Sequence, residues 1–165
     1  MKNVYILIGL KGSGKSYIGD LVEKSFRIKF LQVEPYFINS SKDYKNVNND
    51  SFKEVWEKIE SDISKYLEKE DKIIFESMGT YDSFKEFLKR IDKKYNVKLI
   101  KIDTSSKLCL ERIENRDNKN HVKINKNLII KINKIASQEK YPFNLIINNE
   151  KLSDKDILIE FKKIF

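Results

Sequence analysis

The residues best placed to do chemistry stand in one octet, Gly9-Leu10-Lys11-Gly12-Ser13-Gly14-Lys15-Ser16. Its spacing is G-x-x-x-x-G-K-[ST], a loop that cradles phosphate groups when a strand enters it and a helix leaves it. Both flanks fit: Val4-Tyr5-Ile6-Leu7-Ile8 is a continuous apolar run, and helical periodicity begins near Lys15. The chain has 5 glycines, and three of them fall in this octet. A loop that turns successive backbone N–H groups toward an anion needs glycine, both for positive φ and for close approach. The helix N-terminus adds partial positive charge. Lys15 brings an ammonium for the outer phosphates, and the Ser16 hydroxyl suits a magnesium ion. The octet therefore predicts a nucleoside triphosphate site with Mg2+. Its expected contacts are Gly9, Lys11, Gly12, Ser13, Gly14, Lys15, Ser16 and the following Tyr17.

Further candidates lie elsewhere along the chain. Glu76 closes a second apolar run, Ile73-Ile74-Phe75. Ligands of open parallel sheets sit beyond the carboxyl ends of the strands, so this carboxylate is expected beside the octet, holding a magnesium-bound water. Arg112 and Arg116 are four apart in a helical pattern, hence on one face. Of 33 basic residues only 4 are arginine, and this pair is half of them. A planar guanidinium grips phosphate oxygens bidentately and stays charged, so the pair is expected to meet the nucleotide. Glu34-Pro35-Tyr36-Phe37 combines an acid with aromatic faces suited to a ring or base. His121 is the sole histidine and is not expected to make a metal site by itself. Cys109 shares an apolar face with Leu108 and Ile113 and is expected in the core.

Positioning these groups takes a sheet and its covering helices. Strand patterns at residues 4–8, 29–33, 72–76, 97–102 and 143–147 alternate with helical patterns at 15–26, 84–91, 108–116, 125–137 and 153–165. Ser51 with Glu54 reads as a capping box. It opens a helix whose Phe52, Val55, Trp56, Ile59, Ile63 and Tyr66 share one side and are expected in the core. Strands separated by helices form βαβ units and a parallel sheet covered on both faces, so the fold class is α/β with five strands. Residues 34–50 fit neither period, being polar, rich in Asn and dotted with aromatics. A connection that long within a domain is usually functional.

The 165 residues correspond to about one domain. No 18-residue apolar run occurs, so no membrane span is expected, and the short apolar start at 4–10 makes a poor signal peptide. A single cysteine excludes intramolecular disulfides and cysteine zinc sites, and makes a reducing cytoplasm the expected location. Net charge is +8, and residues 98–134 alone hold ten basic and four acidic residues. A basic balance invites a nucleic-acid partner. Its concentration around the arginine pair instead favours the anionic triphosphate.

The octet, the strand ending in Glu76, and Cys109-Leu110-Glu111-Arg112-Ile113-Glu114-Asn115-Arg116 together resemble the small P-loop kinases. That group includes nucleoside monophosphate, shikimate, gluconate and polynucleotide kinases and zeta-toxin-like enzymes. The resemblance implies a three-layer P-loop fold over residues 1–165, with a five-stranded parallel sheet flanked by helices. It also implies an acceptor region near 34–50 and a helical lid near 105–124. It further implies transfer of the γ-phosphoryl group from ATP·Mg2+ to a small acceptor, which would be a nucleoside, nucleotide or sugar-like metabolite. Lys15, Arg112 and Arg116 would stabilise the transferring group from the loop and the lid, with Mg2+ at Ser16 and Glu76. Glu34 stands where such kinases keep an acid that orients or deprotonates the acceptor, with Tyr36 beside it. Phe37 stands where polynucleotide kinases usually carry Arg, which weakens the polynucleotide 5′-kinase alternative. A non-catalytic nucleotide switch is the other alternative. A GTPase is not expected, because Asn133-Lys134-Ile135-Ala136 lacks the Asp of a guanine-reading segment and lies in a helical pattern.

Overall fold

The computed structural model describes residues 1–40, 49–115 and 125–165. Its strands are β1 (Asn3–Ile8), β2 (Lys29–Leu31), β3 (Lys72–Ser77), β4 (Asn96–Asp103) and β5 (Leu145–Asn148). All pairings are parallel and the sheet order is β2-β3-β1-β4-β5. β1 is thus central, with Ile8 level with Ser77 of β3 on one side and Lys101 of β4 on the other. The carboxyl ends of all three therefore open on one edge, where the phosphate loop begins.

The helices are α1 (Lys15–Phe26), α2 (Glu34–Ser40), α3 (Asn49–Lys69), α4 (Asp82–Asp92), α5 (Ser106–Asn115), α6 (Lys126–Gln138) and α7 (Asp154–Lys162). Because side chains alternate along a strand, β1 feeds two cores. Val4, Ile6 and Ile8 pack with Val55, Trp56, Ile59 and Ile63 of α3 and Phe84, Phe87 and Ile91 of α4. Tyr5 and Leu7 pack on the other face with Ile18 and Val22 of α1 and Ile157 and Phe161 of α7. Cys109 is fully buried, in line with its apolar helical face.

Three local expectations need correction. Residues 34–40 are helical rather than part of a connection. Pro35 occupies the first turn, where its fixed φ suits a helix and its missing N–H costs nothing. The remainder of the supposed connection, residues 41–48, lies outside the described residues. α3 begins at Asn49, so Ser51 stands inside the first turn instead of capping it. β2 ends at Leu31, two residues early, since the chain must turn there to start α2 at Glu34. A capping box does occur at α7, where Ser153 and Asp156 close it reciprocally. No described helix is long and apolar enough to cross a membrane.

Candidate active site

The loop leaves β1 with the Gly9 N–H donating to the Ser77 carbonyl at 3.3 Å. Gly12 and Gly14 adopt φ of +88° and +92°, values costly for any residue with a Cβ. A Cβ on Gly12 would strike the Cys109 carbonyl and the Ile113 side chain, and one on Gly14 the Asn149 amide. The backbone is also held from outside. The Ser13 carbonyl accepts from Thr104 Oγ1 at 3.1 Å, Arg112 Nη1 at 3.3 Å and Asn149 Nδ2 at 2.7 Å. Asn133, buried in α6, grips Lys11 at both ends. Its Oδ1 accepts from the Lys11 N–H at 2.8 Å, and its Nδ2 donates to the Lys11 carbonyl at 3.1 Å. The loop's shape is thus fixed by side chains from three separate parts of the chain.

Inside the cradle, the Lys15 ammonium donates to the carbonyls of Gly9 and Leu10 at 3.0 and 2.9 Å. Burial pulls its pKa down, opposed by the nearby Glu76 carboxylate. Ser16 Oγ donates to both Glu76 oxygens, at 3.0 and 2.9 Å. Burial pushes the Glu76 carboxyl up, against the pull of Lys15 and of the Ser16 hydroxyl. Glu34, at the start of α2, pairs with the Lys11 ammonium at 3.3 Å. Two cations and two carboxylates therefore share a small region at the carboxyl edge of the sheet, where low effective dielectric strengthens each charge.

These groups line a cavity of about 460 Å³. The loop residues Lys11, Gly12, Gly14, Lys15, Ser16 and Tyr17 line it with Glu76 and Arg112, and so do Glu34, Ser77, Thr80 and the apolar or aromatic Val33, Phe37, Phe52, Trp56, Met78, Tyr81, Ile113 and Ile132. Most of the sequence candidates therefore converge. Tyr36 does not line the cavity: its hydroxyl donates to Asp62 at 2.8 Å, and burial and that bond raise its pKa to about 12. α2 turns the adjacent Phe37 inward instead. Tyr17 is half exposed and donates to Asp154 at 2.6 Å. Arg112 reaches the loop, but its guanidinium is engaged with the Ser13 and Asn149 carbonyls, the latter at 2.9 Å. Arg116 and His121 lie outside the described residues.

Sequence reading missed several participants. Asn133 was notable only as part of a failed guanine-reading segment, and its clamp on Lys11 has no local signature. Asn149 and Thr104 follow strands β5 and β4, and their position at the sheet edge was the available signal. Phe52 and Trp56, expected purely as core, also form cavity wall. Tyr81 holds φ +68°, ψ 145°, a strained conformation for a tyrosine, and its ring stacks on Phe52 with centroids 4.9 Å apart.

The donor set suits a nucleoside triphosphate with magnesium. Ser16 and Glu76 offer hard oxygen ligands, few enough that phosphate oxygens and waters would complete an octahedral shell. The buried Lys15 ammonium, satisfied by neutral carbonyls alone, would gain from an anionic partner.

No family model matches the chain. A shikimate kinase of Clostridium botulinum (strain Alaska E43 / Type E3) is 32% identical over 81 residues, 48% of this chain and 48% of that protein. The chain thus matches about half the length of this curated relative. Among solved structures, a sugar kinase from Janibacter sp. HTCC2649 superposes with a TM-score of 0.74 at 9% identity, over 99% of this chain and 94% of that one. A shikimate kinase from Acinetobacter baumannii gives 0.64 at 16% identity, covering 99% and 92%. A deoxyadenosine kinase from M. mycoides gives 0.63 at 19% identity, covering 98% of each chain. The chain has the α/β fold of the small P-loop kinases, as its resemblance to them implied.

Proposed function

We propose that this chain is an ATP-dependent phosphotransferase that moves the γ-phosphoryl group of ATP to a hydroxyl of a small molecule, with Mg2+ as its ion. The observation that carries the reading is the convergence of Lys15, Ser16 and Glu76 on a cavity that Glu34 and the rings of Phe37, Phe52, Trp56 and Tyr81 also line. Phosphate-type donors and an acid beside aromatic faces in one cavity are what transfer between two bound molecules requires.

In this reading the Gly9–Ser16 loop and Tyr17 hold the nucleotide, and Ser16 with Glu76 hold the ion, which neutralises β- and γ-phosphate charge when bound. Lys15 exchanges its loop carbonyls for phosphate oxygens and stabilises charge on the transferring group. The acceptor oxygen bonds to the γ-phosphorus while the bond from that phosphorus to the β–γ bridging oxygen breaks, and ADP departs with the electron pair. The hydroxyl proton passes to the Glu34 carboxylate, which the Lys11 ammonium holds in place at 3.3 Å. Arg112 and Arg116 belong to a lid spanning about residues 105–124, from which they add positive charge over the phosphates. The whole of 1–165 acts as one catalytic domain with its acceptor region near residues 34–50. The names of the structural neighbours cover sugar, gluconate, shikimate and deoxyadenosine kinases, so they leave the acceptor open.

The test is ATP turnover against a panel of sugars, hydroxy acids, nucleosides, nucleotides and oligonucleotide 5′-ends. Acceptor-stimulated ADP release is expected with one class. Lys15→Ala should lower it by at least 100-fold, the scale of removing one preorganised transition-state contact. Equal ATP binding and turnover by wild type and Lys15→Ala would overturn the assignment.

A further inference from the structure

We infer that the aromatic wall of the cavity, Phe37, Phe52, Trp56 and Tyr81, is a subsite for an uncharged planar ring, and hence that the acceptor is a nucleoside-type alcohol rather than a hydroxy acid, polyol or nucleotide. The inference rests on the phosphotransferase reading for the word acceptor, but the ring subsite stands on the cavity wall alone.

Charge is the first consideration. The cations lining the cavity are Lys11, Lys15 and Arg112, and all are engaged, with Glu34, with loop carbonyls and with the carbonyls of Ser13 and Asn149. Among the described residues no further cation lines it. With those three drawn to the nucleotide phosphates, a carboxylate or second phosphate against Phe37, Phe52, Trp56 and Tyr81 would lose its water without gaining a counter-ion.

Shape is the second. Four aromatic rings form a connected surface: Phe37 lies 5.6 Å from Phe52 and 5.5 Å from Trp56, and Phe52 stacks on Tyr81 at 24°. Flat π-faces at this density match a flat ring, by stacking or edge contact. The third is strain. Tyr81 is not a glycine, yet it keeps a positive φ and makes no side-chain cap bond to α4, so capping does not account for its conformation. Its ring is half exposed and meets Phe52 at the rim. Strain of this kind persists where surrounding structure enforces it and is concentrated at ligand clamps. It places the most exposed of the four rings at the rim of the aromatic wall, stacked on Phe52.

Trp56 is the chain's single tryptophan and belongs to this wall, so its emission reports on the subsite directly. Adenosine, cytidine, thymidine, AMP, shikimate and gluconate would each be titrated against Trp56 emission, and each offered as acceptor with ATP·Mg2+. The expected result is a change in Trp56 emission with at least one nucleoside, and phosphorylation of that nucleoside. No response is expected with shikimate or gluconate. Phe52→Ala and the rim variant Tyr81→Ala should each raise the nucleoside KM by roughly tenfold, the scale of one lost stacking contact. Both should leave the KM for ATP unchanged, and circular dichroism would verify their folding. Phosphorylation of a hydroxy acid, polyol or nucleotide in preference to every nucleoside would overturn the inference while the phosphotransferase reading stands. Nucleoside binding without any transfer would sustain the subsite and overturn that reading instead. Nucleosides that neither bind nor react would overturn the subsite.

Discussion

Asn133 carries more of the loop's geometry than its place in a surface-patterned helix suggests. One carboxamide satisfies both backbone groups of Lys11, and it is 2% exposed, so water cannot replace it. Asn133→Ala should leave a buried N–H and C=O without partners, costing about 1–3 kcal/mol of stability. ATP affinity should fall several-fold with it, because the loop would have to be ordered by the ligand. Thermal denaturation and calorimetric titration would check both, and unchanged ATP affinity would show that the clamp does not hold the loop. Such residues were illegible in sequence for a physical reason. Lys15, Ser16 and Glu76 sit in local patterns that chemistry dictates, whereas Asn133, Asn149 and Tyr81 matter through partners 37 to 136 positions away or through a strained φ. No window along the chain contains that information.

Elements were easier to read where periodicity was strong. The central strands and α1 match the apolar pattern because sheet burial on both faces demands it. α2 was missed because a seven-residue helix with polar character and an early proline has the composition of a turn. Register between elements was not readable either. Gly19 in α1 shows why it matters: a Cβ there would press into the Phe30 ring of β2. Gly19→Ala should therefore destabilise the protein by about 1–3 kcal/mol through overpacking, against the roughly 1 kcal/mol that helix propensity would add. A lower midpoint in urea at unchanged slope would verify it, and a rise in stability would refute it. The same substitution at an exposed helix glycine would be expected to help.

For the molecule as a whole, apolar composition and the alternation of strand and helix periods pointed to an α/β fold, and the parallel sheet agrees. What those averages could not convey was how the charges are tied down. Glu60 of α3 accepts from Arg90 and Lys94 at 2.7 Å each, fastening α4 and its following turn across the helix pair. Burial pushes the Glu60 carboxyl up, but the bonds from Lys94 and Arg90 outweigh it and hold the pKa below its ordinary value of 4.5. A depressed carboxylate stabilises the fold at pH above its unfolded value, and that contribution is lost as pH falls through the folded value. Glu60→Gln should therefore cost about 1 kcal/mol at pH 7, with the gap to wild type closing below pH ~4. Equal deficits at pH 7 and pH 3 would assign the loss to packing rather than charge.

The Ser13 carbonyl, with its donors from Thr104, Arg112 and Asn149, has one more property. It belongs to the same planar amide as the Gly14 N–H, and in a trans peptide the two point in opposite directions. With the oxygen held by three donors, the peptide plane that carries the Gly14 N–H cannot rotate, and Gly14 lines the cavity. Donors crowding the oxygen also draw electron density through the amide, and chained hydrogen bonds strengthen one another in this way. The loop's exterior bracing thus makes its interior N–H a stiffer and more acidic donor, tuned toward an anion before any anion arrives.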